Sequence, residues 1–274
     1  MNPWTDLLRR PARLTQRAVA GWFSRIADHL LNRTQFVVAG RPHRLTEIEF
    51  YYRGPGHEDP FTHGDPIQIH PGLWYFHKTS GVFRGGTYKG VDLTFGDGTA
   101  RAGILLRGLE TEDRVLIDGP SLLVDHLLRL CERQTVAELH GEIGGRPAWD
   151  VANPLHLAES PNLGRDILAC ARVGLTLRRA RARSAMPTFL TRPYRFLTKP
   201  ADIAKGKVQM VLGLHRRGCT HDEIQRVTGC PKRTIHAYIA EYESGFREGQ
   251  FEDYSGKELG LKDLCRLHGI ADRR

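Results

Sequence analysis

Arg107 lies inside an otherwise apolar run, Gly103-Ile-Leu-Leu-Arg-Gly-Leu-Glu110. A guanidinium taken out of water needs a carboxylate partner, so this arginine requires an acid from another segment. Glu49 stands in Thr46-Glu-Ile-Glu-Phe-Tyr51. By itself it is either an acid able to activate water or the solvated face of an edge strand. Tyr51 is core or pocket wall, and a lone His63 is ordinarily structural. A second group, Lys232, Arg233, Thr234 and His236, opens a helical segment and carries donors suited to phosphates and base edges. Its other reading is a set of solvated charges on a helical appendage. The five cysteines, Cys131, Cys170, Cys219, Cys230 and Cys265, include no CxxC pair. That argues against a disulfide framework and a structural zinc site, and no metal or other cofactor is expected. Carboxylates spaced for two metals and the His/Cys signature of a deaminase are both missing from the sequence, which ranks nuclease and deaminase readings last.

The segments that must position these residues divide into two kinds. From Gln35 to about Glu110 the pattern is strand-like. Phe36 to Val38, Leu45 to Tyr51, Leu73 to Phe76, Val91 to Phe95 and Gly103 to Leu106 are apolar or alternating runs, and Gly96-Asp-Gly98 is a turn signal. Pro120 to about Cys131 has helical spacing, and Pro154 to Leu157 is another short strand. Ile167 to Val173 leads into a basic stretch, Arg178 to Arg195, broken into extended pieces by Pro187 and Pro193, with Pro200 beyond.

After Pro200 the character is helical. Val208 to Gly218 reads as a helix closed by glycine, Thr220-His-Asp-Glu223 as a capping box, and Gly229 as the end of the helix it opens. Pro231 starts a further helix with Thr234, Ile235, Tyr238 and Ile239. Two short helices across a tight turn suggest a helix-turn-helix, similar in order to the small DNA-binding domains of resolvases and repressors. The second helix would then lay Lys232, Arg233, Thr234 and His236 in the major groove.

Forty basic residues against 31 acidic ones give a net charge of +9, which favours an anionic partner. Apolar runs fall short of a membrane span, so neither membrane nor export is expected, and the location is read as cytoplasmic. The segment Asn2 to Arg33 interleaves Trp4, Trp22, Phe23 and Leu30 with arginines. It reads as an amphipathic helix on the body, with membrane-surface binding the minor alternative.

Several pieces of residues 27–200 together resemble the alkyladenine (3-methyladenine) DNA glycosylase family. They are Arg44-Leu-Thr-Glu-Ile-Glu-Phe-Tyr51, Glu58-Asp-Pro-Phe-Thr-His63, His70-Pro-Gly-Leu-Trp-Tyr-Phe76, Gly96-Asp-Gly98 and the Gly103–Glu110 run. Gly119-Pro-Ser-Leu-Leu, Ala171-Arg-Val-Gly174 and Pro193-Tyr-Arg-Phe196 follow in the same order. The resemblance covers about two-thirds of the chain and leaves out the helix-turn-helix. It implies an enzyme that flips a base out of duplex DNA and hydrolyses its bond to the sugar. It makes Glu49 the acid that activates water, with Arg107 beside it, and makes Tyr51, His63 and Phe76 walls of the base pocket. No lysine matches a catalytic position, so water is the expected nucleophile.

The pattern departs from the family in the hairpin His77-Lys-Thr-Ser-Gly-Val-Phe-Arg-Gly-Gly-Thr-Tyr-Lys-Gly90. The residue that wedges into the duplex is not fixed by the match; Phe83, Arg84 and Tyr88 are the candidates. Where the family has an asparagine that rejects guanine, this chain has Asp92. An aspartate accepts hydrogen bonds from a cytosine amine or sugar hydroxyls, and glycines make room for bulk. The favoured substrate is therefore a bulky modified cytosine, such as glucosylated hydroxymethylcytosine in phage DNA, in the service of anti-phage defence. The alternatives are a repair glycosylase for alkylated purines and a non-catalytic DNA-binding regulator.

The expected architecture is α+β. It comprises a curved, mixed antiparallel sheet with surrounding helices over residues 1–200 and a small all-α module over 201–274. Double-stranded DNA is the expected partner and a monomer the favoured state.

Overall fold

The computed structural model describes residues 3–181 and 184–273. Its contacts divide the chain into two compact units, one of residues 1–58, 62–167 and 196–198, the other of 59–61, 168–195 and 199–274. Among the described residues no helix is long and apolar enough to cross a membrane.

In the first unit a short helix α1 (Pro3–Leu7) precedes α2 (Gln16–Asn32), whose N-cap Thr15 accepts from the Ala18 N–H. One continuous N-terminal helix was the expectation. The chain between Arg9 and Thr15, which includes Pro11, is not helical. The apolar stripe Val19, Trp22, Phe23, Ile26 and Leu30 is fully buried. Its Phe23 stacks on Phe50 with ring centroids 4.5 Å apart, while Trp22 meets Tyr52 and Phe95 edge-on. The face that could have met a membrane is thus used by the core.

The strands are β1 (Thr34–Val38), β2 (Arg41–Gly54), β3 (His57–Glu58), β4 (Trp74–Phe76), β5 (Lys78–Thr79), β6 (Val82–Phe83), β7 (Val91–Thr94), β8 (Arg101–Glu110) and β9 (Leu116–Asp118). Helices α3 (Pro120–Leu130) and α4 (Val136–Ile143) and strand β10 (Leu155–Glu159) follow. The sheet order is β10-β1-β2-β8-β7-β4, antiparallel at every pairing. β3 pairs antiparallel with the end of β2, β9 with the end of β8, and β5 and β6 form a separate hairpin.

Alternation divides the sheet into two faces. Ile48, Phe50 and Tyr52 of β2, Ile104 and Leu106 of β8, Leu93 of β7 and Trp74 and Phe76 of β4 share the apolar face. The opposite face carries Glu49 and Tyr51, Gly103 and Leu105, Asp92 and Thr94, and Tyr75. Glu49, Leu105, Asp92 and Tyr75 stand in one row across four strands.

The long β2–β8 pairing is interrupted twice. Leu45 faces Leu109 and Glu47 faces Gly108, so Thr46 is an extra residue on β2; Ile48 then faces Leu106, so Arg107 is an extra residue on β8. Such bulges re-aim side chains. Gly108 is needed here, because a Cβ on it would stand 2.5 Å from Thr46 Oγ1.

The second unit holds β11 (Leu168–Cys170) and helices α5 (Met186–Thr191), α6 (Lys207–His215), α7 (His221–Thr228), α8 (Lys232–Glu248) and α9 (Leu261–Arg273). By contacts, residues 168–195 group with the C-terminal helices. Leu177 and Leu190 share one apolar cluster with Tyr254, Leu267 and Ile270, which ties the basic stretch to the C-terminal helices. The stretch is also held by Arg172, which grips Asp59 with two hydrogen bonds of 2.6 and 3.2 Å, both residues fully buried. Helices α8 and α9 approach closely at glycines. A Cβ on Gly245 would stand 2.2 Å from the Arg266 carbonyl oxygen, and one on Gly269 2.0 Å from that of Tyr242.

Candidate active site

Glu49 sits at the middle of β2 on the polar face, and Arg107 reaches it from the bulge on β8. The Arg107 Nε donates to Glu47 Oε1 at 2.5 Å and lies 3.4 Å from Glu49 Oε1. The Tyr51 hydroxyl donates to Glu49 Oε2 at 2.8 Å. Glu47 and Glu49 are both fully buried and Arg107 nearly so. Burial alone would lower the Arg107 pKa; the adjacent Glu49 and Glu47 carboxylates reverse this and raise it.

Glu47 was not singled out from the sequence, yet it makes the shorter bond to Arg107. Its position in the same Thr-Glu-Ile-Glu run was visible; the bulge that turns Arg107 toward both acids was not.

A second polar cluster occupies the same face two strands away. Asp92 Oδ1 accepts from His77 Nε2 at 2.7 Å and Oδ2 accepts from the Gln68 amide at 3.2 Å. Gly103 makes room for this pair, because a Cβ there would stand 2.4 Å from Asp92 Oδ2. His77 lies against His63, ring centroids 4.1 Å apart, and His63 Nδ1 is 3.3 Å from the Tyr75 hydroxyl. His63 is open to solvent at its outer edge. Its pKa is lowered, first by lost solvation and then by His77. The Tyr75 hydroxyl is pushed up to about 12 by desolvation, with Asp65 adding to it.

The expected pocket residues therefore separate. Glu49, Arg107 and Tyr51 meet in one cluster, and His63 and Asp92 in the other. Phe76 joins neither: it is buried on the apolar face with its ring near His140. Its neighbour Tyr75 is the aromatic of β4 on the polar face, since the pleat sends successive side chains to opposite sides. Asp92 was expected to face a ligand; it is 2% exposed with both oxygens held by protein donors, and Glu49 is likewise fully buried, its two oxygens facing Arg107 and Tyr51.

Of the wedge candidates, Phe83 is half-buried against His140 with Lys78 over its ring, and Arg84 is tied to Thr79. Tyr88 projects from a short helical turn, 76% exposed. Val82, on the β5–β6 hairpin, is 71% exposed and was not picked out from the sequence. Ser80 and Gly81, both at positive φ, make the two-residue turn before it.

In the second unit α7 opens on Thr220 with the expected capping box and closes on Gly229 in the left-handed region. Gly229, Cys230 and Pro231 form the turn to α8. Lys232, Arg233 and His236 are exposed on the first turns of α8 and Thr234 is half-buried. Lys232 pairs with Asp222 at 2.5 Å and His236 packs edge-on against His221.

No family model matches the chain. A protein of Acanthamoeba polyphaga mimivirus, described as uncharacterized, is 34% identical over 135 residues. The match takes in 44% of this chain and spans 62% of the viral protein's length.

Proposed function

We propose that this chain is a monofunctional DNA glycosylase. It flips a modified base out of duplex DNA and hydrolyses the base–sugar bond, leaving an abasic site. The reading rests on one observation: Glu49, Arg107 and Tyr51, named from two separate segments of the sequence, meet in one cluster in which Glu49 and Arg107 are buried and Tyr51 half-buried.

Hydrolysis of the bond passes through an oxocarbenium-like sugar. On this reading Glu49 takes a proton from the attacking water while Tyr51 and Arg107 fix the carboxylate's orientation. The antiparallel sheet with flanking helices is compatible with a glycosylase of the alkyladenine type. On this reading Tyr88 is the residue that enters the duplex, and α7 and α8 form a helix-turn-helix that grips neighbouring DNA through Lys232, Arg233, Thr234 and His236. The favoured substrate is a bulky modified cytosine, such as glucosylated hydroxymethylcytosine, and the role is defence against phage in the cytoplasm.

The test is base release. The protein and its Glu49→Gln variant are incubated with alkylated DNA, plain DNA and glucosyl-hydroxymethylcytosine phage DNA, and freed bases are identified by mass spectrometry. Release of the modified cytosine, lost with Glu49→Gln while DNA binding persists, is the expected result. Release of alkylpurines instead makes the protein a repair enzyme. A second reading, a DNA-binding regulator, is favoured by the exposed basic start of α8. It predicts no release from any substrate and a Glu49→Gln variant indistinguishable from the parent.

A further inference from the structure

The second unit contains a cavity of about 660 Å³, ample for a small ligand. Leu175, Leu190, Leu259 and Leu264 give it apolar walls, and Tyr238 of α8 adds an aromatic ring. Gly206 to Gln209, the N-cap and first turn of α6, line it as well. The start of α6 favours negative charge. Gly206 sits at φ +79° and offers no side-chain oxygen to the first N–H groups of the helix. Glycine is required there, because a Cβ would stand 2.2 Å from Arg195 Nη1. The buried Arg195 donates to the Lys205 and Gly206 carbonyls at 2.9 and 3.4 Å. The Lys207 ammonium donates to those of Pro200, Ala201 and Thr228. Both cations are thus held beside the helix start, where they add to its positive potential. Of the cavity's arginines, Arg172 is bound by Asp59; Arg178 pairs with Glu258 at 2.5 Å, and both of these are exposed.

Gln209 points to an occupant. It is the third residue of α6, where a glutamine ordinarily reaches back to the N-cap N–H. Here nothing among the described residues donates to its Oε1, which is sealed from solvent, and the residue is 6% exposed while lining the cavity. An amide acceptor shut away without a donor is costly. The amide turns readily about its last bond, so a ligand in the cavity can bring it a donor and accept from its NH₂ group. The N6 amine and N7 of adenine present that complementary pair. The apolar walls suit the faces of a base, and the α6 start and Arg178 suit a phosphate.

We propose that this cavity of the second unit binds an adenine nucleotide, its base edge read by the Gln209 amide and its phosphate held by the start of α6 and Arg178. The site is separate from the Glu49 cluster and does not depend on the glycosylase reading. It gives the second unit a small-molecule ligand in addition to the DNA proposed for α7 and α8.

Calorimetric titration of the full chain with AMP, GMP, adenosine and inorganic phosphate tests this, with the melting temperature recorded for each variant. AMP is expected to bind, and adenosine and phosphate to bind at least about tenfold more weakly, since each lacks one of the two sets of contacts. Gln209→Met is expected to weaken AMP about tenfold, because it leaves the base edge unpaired. Its melting temperature stays level or rises, because methionine keeps the volume without a stranded acceptor. Arg178→Gln, at an exposed position, weakens AMP and leaves adenosine unchanged. Absence of AMP binding overturns the inference. Phosphate binding as tightly as AMP marks an anion site only and overturns it too, as does GMP binding equal to AMP. An AMP affinity untouched by Gln209→Met has the same consequence. Displacement of AMP by duplex DNA, together with weaker duplex binding by Gln209→Met, makes the cavity part of a DNA surface and overturns the assignment. None of these readouts depends on base release, so each outcome leaves the glycosylase reading where it stands.

Discussion

At the scale of single residues, Arg107 governs the candidate site. Two buried carboxylates depend on it, and each would be costly to keep charged without it. Arg107→Met is expected to destabilise the protein by about 3–5 kcal/mol, read by urea unfolding, because it removes the cation that both acids share. Lysine is a poor substitute, since a single ammonium cannot present the planar fork that addresses two acids at once. Glu47→Gln keeps the volume and removes one acid. It weakens the shorter bond that holds Arg107, so on the proposed mechanism it lowers release by loosening the side chain that orients Glu49, with a smaller loss of stability than Arg107→Met.

At the scale of elements, the strand pairing and the helix contacts each turn on small residues. Thr46 and Arg107 are both bulged, on facing strands, so the register recovers beyond them and the apolar face of β2 stays on the core. In the second unit Gly245 lies against the Arg266 backbone. Gly245→Ala must push α9 away from α8 and is expected to cost about 1–3 kcal/mol in thermal or urea unfolding. The capping box of α7 is a more modest contributor: Thr220→Ala is expected to cost about 1 kcal/mol by the same measurement, since it removes the hydroxyl that accepts from the Glu223 N–H.

At the scale of the whole molecule, charge and titration make the predictions. On the proposed function, a net charge of +9 makes duplex binding weaken steeply with salt. If α8 meets phosphates, Lys232→Ala and Arg233→Ala each lower the slope of log affinity against log salt by about one, read by fluorescence anisotropy. The acid stability of the fold depends on buried neutral imidazoles. His126 is lowered to about 4 by desolvation, with His43 adding to it, and His268 to about 3 by desolvation. His43 is lowered too, and its Nε2 lies 2.9 Å from that of His126. These groups bind protons more readily in the unfolded chain, so their contribution is present above its ordinary histidine range near pH 6.5 and lost as pH falls toward 4. The melting temperature is expected to drop across that window, and His126→Asn to flatten the drop.

The sequence by itself determined the elements whose signals are local. The apolar stripe of α2, the alternating strands from Thr34 to Glu110, the proline that opens α3 and the capping box and glycine of α7 are all written in consecutive residues. It also required an acid for Arg107, because a guanidinium in an apolar run has no other way to be buried. Helices α4 and α9 and the end of α8 beyond Tyr242 were not anticipated, α5 is helical where extended chain was expected, and the grouping of residues 168–195 with the C-terminal helices depends on which apolar side chains meet far along the sequence. Only the tertiary structure decided that Glu47 shares Arg107 with Glu49, that Asp92 serves His77, and that Tyr75 rather than Phe76 lies on the polar face. Each of these follows from strand register. A shift of one residue, or one bulge, exchanges the two faces of a sheet, and nothing in the local sequence fixes which neighbouring strand will impose it.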